Sequence, residues 1–171
     1  MPTLPNPEDP RPWLLLDVDG VLNAINNSQN LKTYDIHHVQ HFRIRIPKRV
    51  PDWLFELTGY FVPTWATMWN DLANDHLVDF LGMPELPVIH CEYSLAGRLD
   101  GLHDKITCIE NQVPGDQPFA WLDDEIKKVD LDWAYLRTTR GVPTKLIQVH
   151  PGMGLQQHHV NKLITWAKEL S

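Results

Sequence analysis

The stretch WLLLDVDGVLN, residues 13–23, decides the fold, because it joins a short apolar run directly to two acidic residues and a glycine. Four consecutive apolar residues predict a central strand that is buried on both faces. Asp17 and Asp19 follow at the end of that strand, where a carboxylate without a compensating partner is costly. The stretch therefore predicts a sheet whose edge carries a functional site.

Strand-like and helix-like segments alternate along the rest of the chain. The strand patterns are HFRIRI (an edge strand or hairpin arm), YFVPTWAT, LPVIHC, FAWLDD and TKLIQVH. The helix patterns are PDWLFELTG, WNDLANDHLVDFLG, LHDKITCIENQV, EIKKVDLDWAYLRTTRG (helical or partly irregular) and LQQHHVNKLITWAKEL. This alternation predicts an α/β fold, with a parallel sheet covered by helices on both faces.

Length and composition predict one ordinary globular domain over residues 1–171, with residues 1–12 as an extended lead-in. The start MPTLPNPEDPRP has no signal-peptide pattern, and no apolar run approaches the roughly 18 residues of a membrane span. We therefore expect a cytoplasmic protein without membrane association. Cys91 and Cys108 are too few for a disulfide framework, so we expect two reduced thiols.

The charge distribution predicts a candidate anion-binding segment. The net charge of −7 argues against a surface that coats nucleic acid, but residues 32–49 hold five basic residues against the single acid Asp35. Arg43 and Arg45 lie in this segment. A solvated basic hairpin is an equally common interpretation of such a pattern.

Polar side chains follow three of the predicted strands at their carboxyl ends. They are Asp17 and Asp19, Thr67, and the pair Asp123 and Asp124, with Lys105 in a helical segment between the last two. The carboxyl ends of parallel strands meet at one edge, so we expect these groups to converge. Two carboxylates about 4 Å apart repel by roughly 4 kcal/mol at an effective dielectric constant near 20, so the cluster needs a cation. Mg²⁺ prefers such oxygen ligands together with a substrate phosphate.

The order DVDGVLN, Thr67, Lys105 and WLDDE resembles the four motifs of the haloacid dehalogenase-like (HAD) phosphohydrolases. The resemblance implies a Rossmann-like sheet, Mg²⁺ and an aspartyl-phosphate mechanism. It implies that Asp17 is the nucleophile and Asp19 the general acid and base, with the main-chain carbonyl of Asp19 helping to hold the metal. Thr67 and Lys105 would bind and neutralise the phosphoryl group.

The same resemblance assigns the remaining site residues. Asp124 is the better candidate for direct metal ligation, and Asp123 supports it or binds through water. Gly20 allows a sharp turn whose amides could point at the phosphate, and Asn23 belongs to the same motif. We predict Gly20 and Asn23 as substrate-binding residues, and the charge of the basic segment adds Arg43 and Arg45.

The segments WATMW, LGMPELP, FAWLDDE and GLQQHHVNKLITWA resemble, more narrowly, the small bacterial and phage HAD-type domains found in RNA-repair proteins. The insertion at residues 23–50 is too short for a full cap domain and predicts a small flap. An open flap suits a bulky substrate, so we expect a phosphorylated small molecule or a nucleic-acid end, with the basic residues holding phosphates. No obligate protein partner is readable.

Two other functions are compatible with the same residues. A receiver-type phospho-acceptor domain also combines acids, Thr, Lys and Mg²⁺ on a parallel sheet, although its acceptor Asp stands alone on a middle strand. A catalytically silent module could keep the fold for partner binding. Both alternatives would leave Asp19 without the acid-base role that rapid hydrolysis needs.

Structural roles also compete with the catalytic ones. Asp123, Asp124 and Glu125 could cap a helix, and Thr67 could be a strand-to-helix N-cap before Trp69. Lys105 could be a solvated helix lysine, with Arg98 or Lys127 in its place. The pattern HHxxH at His37, His38 and His41 lacks the Glu of a metalloprotease helix, so zinc is disfavoured there and at the pair His158 and His159. We expect Trp65, Trp69, Trp121 and Trp133 in the core.

Overall fold

The computed structural model describes residues 4–26, 32–92 and 94–171. Its strands are β1 (Trp13–Leu16), β2 (Tyr34–Val39), β3 (Phe42–Pro47), β4 (Val62–Trp65), β5 (Phe119–Asp123) and β6 (Thr144–Gln148). Its helices are α1 (Val50–Leu57), α2 (Leu72–Leu81), α3 (Lys105–Gln112), α4 (Lys128–Thr139) and α5 (Gln157–Glu169).

The central sheet has four parallel strands in the order β4, β1, β5, β6. β1 lies in the middle, and Leu16 at its end pairs with Trp65 of β4 and with Leu122 of β5. All four residues of β1 are buried, as its uninterrupted apolar run predicts. The residues that follow β1, β4 and β5 therefore lie along the same edge of the sheet.

Helices cover both faces of this sheet, which confirms the α/β prediction. Leu14 and Leu16 point to one face and join a buried cluster with residues of α1, α2 and α5. Trp13 and Leu15 point to the other face and join a cluster with residues of α3 and α4. The alternation of side chains along β1 thus places one half of the core on each side.

The segment between β1 and α1 forms a two-stranded antiparallel hairpin from β2 and β3. The predicted hairpin arm HFRIRI is confirmed as β3, while residues 27–31 of the predicted 23–50 insertion lie outside the described residues. Contacts from both of its strands attach the hairpin to the body. The ring of His37 stacks on Phe80 of α2 with centroids 4.1 Å apart, and the main chain of Arg45 bonds to Asn23 and Ala24.

LPVIHC does not form a strand, so that prediction was wrong. Only an isolated parallel bridge joins Val88 to Trp65. The reason is that side chains take the amides of this segment: Leu86 donates to the Asn74 carboxamide and Cys91 to that of Asn70. A backbone whose amides are used in this way cannot extend a ladder on either side of the bridge.

The two cysteines also differ from expectation, because Cys91 and Cys108 form a disulfide that ties this segment to α3. Their number and spacing in the sequence gave no sign of this, since the contact depends on where α3 packs. Disulfides are typical of oxidising compartments and rare in the cytosol. The cytoplasmic location stays a prediction from sequence, and the disulfide does not support it.

The described part of the lead-in, residues 4–12, contains neither helix nor strand. It is nevertheless attached to the body, because the Arg11 guanidinium pairs with Asp9 and donates a 2.6 Å hydrogen bond to the Thr58 carbonyl. None of the helices in residues 4–26, 32–92 and 94–171 has the length and apolar character needed to cross a bilayer.

Candidate active site

Lys105 lies between two buried carboxylates at the carboxyl edge of the sheet. Its Nζ is 2.9 Å from Oδ2 of Asp17, which directly follows β1, and 2.7 Å from Oδ2 of Asp123, which ends β5. Asp17 and Lys105 are each 7% exposed and Asp123 is fully buried. Lys105 is the first residue of α3, so helix and sheet together bring the cation to the two acids. The alternative of a solvated helix lysine is wrong.

Three carboxylates form one group at this edge, which we call the carboxylate cluster: Asp17, Asp123 and Asp124. One oxygen from each lies within 4.8 Å of the others, so the cluster could hold a metal ion. Within residues 4–26, 32–92 and 94–171 no other group of three His, Cys, Asp or Glu side chains has this closeness.

Burial and charge give the acids of the cluster different pKa values. Burial raises the pKa of Asp17 to about 7, because it outweighs the opposing attraction of Lys105. Burial acts in the same direction on Asp123, but the hydrogen bond from His103 and the charge of Lys105 outweigh it and hold the pKa at about 2. Partial burial and the nearby charge of Asp123 raise the pKa of Asp124. A bound cation would therefore favour the ionised forms of Asp17 and Asp124, whose pKa values are raised.

His103 bonds to the other oxygen of Asp123, a contact that the sequence did not predict. Its Nδ1 accepts a 3.1 Å hydrogen bond from the amide of Lys105, so Nε2 carries the proton and donates to Oδ1 of Asp123 at 3.2 Å. The amide of His103 donates to Asp130, which is buried in α4. The only signal in the sequence was a histidine two residues before the lysine, in LHDK.

The side chain of Asp19 lies apart from the carboxylate cluster. It is exposed, and its two oxygens accept hydrogen bonds from Nδ2 of Asn23 at 2.8 Å and from Nε1 of Trp69 at 2.9 Å. The predicted metal contact of Asp19 is through its main-chain carbonyl and stays a prediction. Asn23 also accepts the amide of Arg45 on Oδ1, so it ties the hairpin to the acid.

The turn after β1 is closed by its own main chain. Gly20 has a φ of +79°, and its amide donates to the carbonyl of Asn23 at 2.8 Å. The amides of Val21 and Leu22 both donate to the carbonyl of Val18. Gly20 therefore shapes the turn, while its predicted amide contact with a phosphate stays a prediction.

The other predicted site residues lie around this edge. Thr67 is buried two residues after β4, and its hydroxyl accepts the amide of Trp69 at 3.3 Å within a turn. The alternative that Thr67 is a helix N-cap is wrong, because α2 begins only at Leu72 and Asp71 is its N-cap. Arg43 lines a cleft beside Asp19, and Arg45 is half-buried on the same strand.

The two candidate substitutes for Lys105 are engaged elsewhere. Arg98 pairs with Asp100 at 2.7 Å and approaches Glu110 at 3.6 Å. Lys127 donates a 2.6 Å hydrogen bond to the carbonyl of Gly101. Of the three cations that the sequence offered, Lys105 is the one that meets the cluster.

Two of the four tryptophans expected in the core are there, since Trp65 and Trp121 are fully buried. Trp133 is half-buried against the second core cluster. Trp69 is also half-buried, yet its indole N–H reaches Asp19, so its polar end belongs to the candidate site. The signal for this was its place in WATMW, four residues beyond the end of β4.

No family model and no curated protein matches the chain. The chemical possibilities are therefore those of the side chains themselves. The edge offers a buried carboxylate with a raised pKa, a cation bonded to it, a second acid held open to solvent, and an oxygen cluster of the kind that hard divalent cations prefer. This combination suits the transfer of an anionic group.

Proposed function

We propose that the protein is a Mg²⁺-dependent phosphomonoesterase of the HAD type, which works through an aspartyl-phosphate on Asp17. The observation that carries the proposal is the carboxylate cluster facing Lys105, with Asp17 bonded to Lys105 and within 4.8 Å of Asp123 and Asp124 through single oxygens. A buried site with both a cation and room for a metal between acids is suited to a phosphate dianion.

The donor set fits a hard divalent cation. Asp17, Asp123 and Asp124 contribute only oxygens, and Mg²⁺ usually takes one or two carboxylates and completes its shell with water and substrate phosphate. When bound, Mg²⁺ would neutralise the acids and the phosphoryl oxygens, so that one anion can approach another. We assign the main-chain carbonyl of Asp19 as a further ligand.

The proposed reaction has two steps, transfer of the phosphoryl group to Asp17 and hydrolysis of the aspartyl-phosphate. A carboxylate oxygen of Asp17 attacks phosphorus, the bond to the ester oxygen breaks, and Asp19 gives its proton to that oxygen, releasing the alcohol. Asp19 then takes a proton from water, whose oxygen attacks the phosphorus of the aspartyl-phosphate. Inorganic phosphate leaves and Asp17 is restored.

Lys105 and Thr67 act on the transferring group. Lys105 already touches Asp17, so it can hold the attacking oxygen in place and offset the charge that develops on the phosphoryl oxygens. Thr67 is assigned a hydrogen bond to one of those oxygens. Asn23 and Trp69 orient Asp19, because each donates to one of its two oxygens.

The hairpin of β2 and β3 serves as the flap of this enzyme, with Arg43 and Arg45 on the strand nearer to Asn23. The Rossmann-like arrangement of the sheet supports the assignment, because ligands of such sheets gather beyond the carboxyl ends of the strands. Substrates with a bulky alcohol group suit an edge that no full cap domain covers.

A panel of phosphate esters, assayed with and without Mg²⁺, tests the proposal. We expect multiple turnovers that need Mg²⁺, with Asp17→Asn inactive and Asp19→Asn slower by about 10²- to 10⁴-fold. Asp132→Asn serves as the matched control, since Asp132 is an exposed acid on α4 that pairs with Lys128.

Two results would overturn it. A long-lived aspartyl-phosphate after a single turnover would identify a receiver-like phospho-acceptor domain. A silent binding module would release phosphate from none of the esters, and Asp17→Asn would keep the biological activity of the wild type.

A further inference from the structure

An apolar cleft opens directly beside Asp19. Its walls are Phe42 from the hairpin and Met68, Trp69 and Leu72 from the turn before α2 and its first residue, and we call it the aromatic cleft. Its volume is about 360 Å³, which lies within the usual range of small-molecule sites, about 300–1,000 Å³.

The walls of the aromatic cleft are unusually apolar for a surface near a charged site. Phe42 is 62% exposed, Leu72 50% and Met68 41%, so three large side chains face solvent together. The rings of Phe42 and Trp69 have centroids 6.5 Å apart and planes tilted by 57°. A flat ring can stack on Phe42 and meet Trp69 at its edge, which is a favourable pair of aromatic contacts.

The cleft is built from fixed elements. His37 stacks on Phe80 and so holds the hairpin against α2, which carries Leu72. Trp69 is held by its hydrogen bond to Asp19. Both walls are therefore in place before a ligand arrives, which lowers the entropic cost of binding.

Polar groups also line the aromatic cleft. Arg43, Gln40 and His76 also line it, so hydrogen-bond donors and acceptors lie beside its apolar walls. This is the composition that recognises a nucleobase, whose faces are apolar and whose edges form hydrogen bonds.

The position of the cleft identifies which part of the substrate enters it. Under the proposed function, Asp19 protonates the ester oxygen, so the alcohol must begin next to the Asp19 carboxylate. Asp19 itself lines the aromatic cleft. The alcohol part of the ester therefore extends from the catalytic edge into this cleft.

We propose that the aromatic cleft binds the base of a nucleoside whose phosphate is hydrolysed at Asp17, with the base stacked on Phe42. This inference rests on the proposed function and names its substrate class. The nucleoside belongs either to a free mononucleotide or to the terminal residue of an oligonucleotide, since both present the same base and sugar.

The first test compares esters that differ in the base alone. We expect kcat/KM for adenosine and uridine 5′-monophosphates to exceed that for ribose 5-phosphate by about 10- to 100-fold, the range of base–aromatic stacking. A 3′-phosphorylated tetranucleotide is compared with the 3′-mononucleotide to distinguish the two sources. A preference for either one supports the nucleoside, whereas a preference for ribose 5-phosphate over all nucleotides overturns it.

The second test removes the ring with Phe42→Leu, which keeps the side chain apolar. We expect the selectivity for adenosine 5′-monophosphate over ribose 5-phosphate to fall by about 10- to 100-fold. Phe55→Leu is the control, since Phe55 is 76% exposed on α1 and does not line the cleft. Unchanged selectivity in Phe42→Leu, or an equal loss in both variants, overturns the proposal.

Calorimetric binding separates failure of this inference from failure of the proposed function. Adenosine 5′-monophosphate should bind the wild type more tightly than ribose 5-phosphate, and Phe42→Leu should remove most of that difference. If binding shows this pattern while no ester is hydrolysed, the cleft stands and the phosphatase fails. If esters are hydrolysed but both ligands bind equally, the cleft fails and the phosphatase stands.

Discussion

The side chain of Asp124 occupies the space beside Gly20 in which any other residue would place its Cβ. A Cβ at Gly20 would lie under 3.0 Å from three side-chain atoms of Asp124. The glycine of DVDG therefore leaves the space that the second acid of WLDDE fills, although about 100 residues separate the two in the sequence. The positive φ of Gly20 adds a second reason for glycine.

Gly20→Ala should displace Asp124 and so weaken the carboxylate cluster. We expect the Mg²⁺ concentration for half-maximal activity to rise by about 10- to 100-fold, the range seen when residues supporting metal ligands are changed. Gly82→Ala is the matched control, because Gly82 also has a positive φ but nothing lies within 4 Å of its Cβ. Both variants should lose about 1–2 kcal/mol of stability from the positive φ, and Gly20→Ala should lose more because of its contact with Asp124. Equal Mg²⁺ dependence in the two variants would contradict the prediction.

The sequence predicted the central sheet because each strand shows a local signal. The strands β1, β4, β5 and β6 all lie in the apolar segments assigned to strands, and Asp17 and Asp123 lie at their carboxyl ends as expected. These features depend on burial and order along the chain, both of which a single sequence carries.

What the sequence did not predict depends on side chains meeting across elements. The segment LPVIHC has a strand pattern, yet Asn70 and Asn74 take its amides. Trp69 has the sequence pattern of a core residue, yet its indole N–H donates a hydrogen bond to Asp19. No local pattern encodes such contacts, because each forms only after α2 and the turn before it pack against the sheet.

Lys105→Met should be strongly destabilising, because it leaves Asp17 and Asp123 buried without their cation. We expect a loss of about 3–5 kcal/mol in the free energy of unfolding, measured in urea without Mg²⁺. Lys128→Met is the control: its side chain is 85% exposed, and its pair with Asp132 lies on the surface, so the loss should be below about 1 kcal/mol.

A double-variant cycle tests the same pairing more closely. Asp17 in Lys105→Met must be buried either charged or at the cost of taking up a proton. Adding Asp17→Asn removes this cost, so part of the stability lost at pH 8 should return. Additive losses would show that Lys105 and Asp17 do not interact in solution.

Asp17→Asn should become more stable relative to the wild type as the pH rises from about 4 to about 7 without divalent cations. The folded wild type keeps a proton on Asp17 up to a pKa of about 7, whereas the unfolded chain releases it near 3.8. Wild-type stability therefore falls across this window, whereas the carboxamide that replaces the Asp17 carboxylate in the variant does not titrate. We expect the difference between the two free energies of unfolding to change by roughly 2–4 kcal/mol.

The difference between the two proteins is the quantity to measure, since other groups titrate in the same window. Burial lowers the pKa of His159 to about 4, and this group makes stability rise with pH up to about its ordinary value of 6.5. The effect is present in both proteins and cancels. A difference that does not change with pH would contradict the raised pKa of Asp17. In a separate measurement at pH 8, saturating Mg²⁺ should stabilise the wild type more than Asp17→Asn.

Opening the Cys91–Cys108 disulfide should lower stability while leaving the catalytic edge in place. The bond closes a loop with a sequence separation of 17, for which the loop-entropy model gives about 3 kcal/mol. Cys91→Ala with Cys108→Ala should therefore unfold at lower urea, and a dithiol reductant should lower the wild type to a similar midpoint without changing the double variant. We expect kcat to stay within about 3-fold, because Lys105 keeps its contacts with Asp17 and Asp123. Titration of the unfolded, unreduced wild type should find no reactive thiol, and two thiols there would show that the bond is absent in solution.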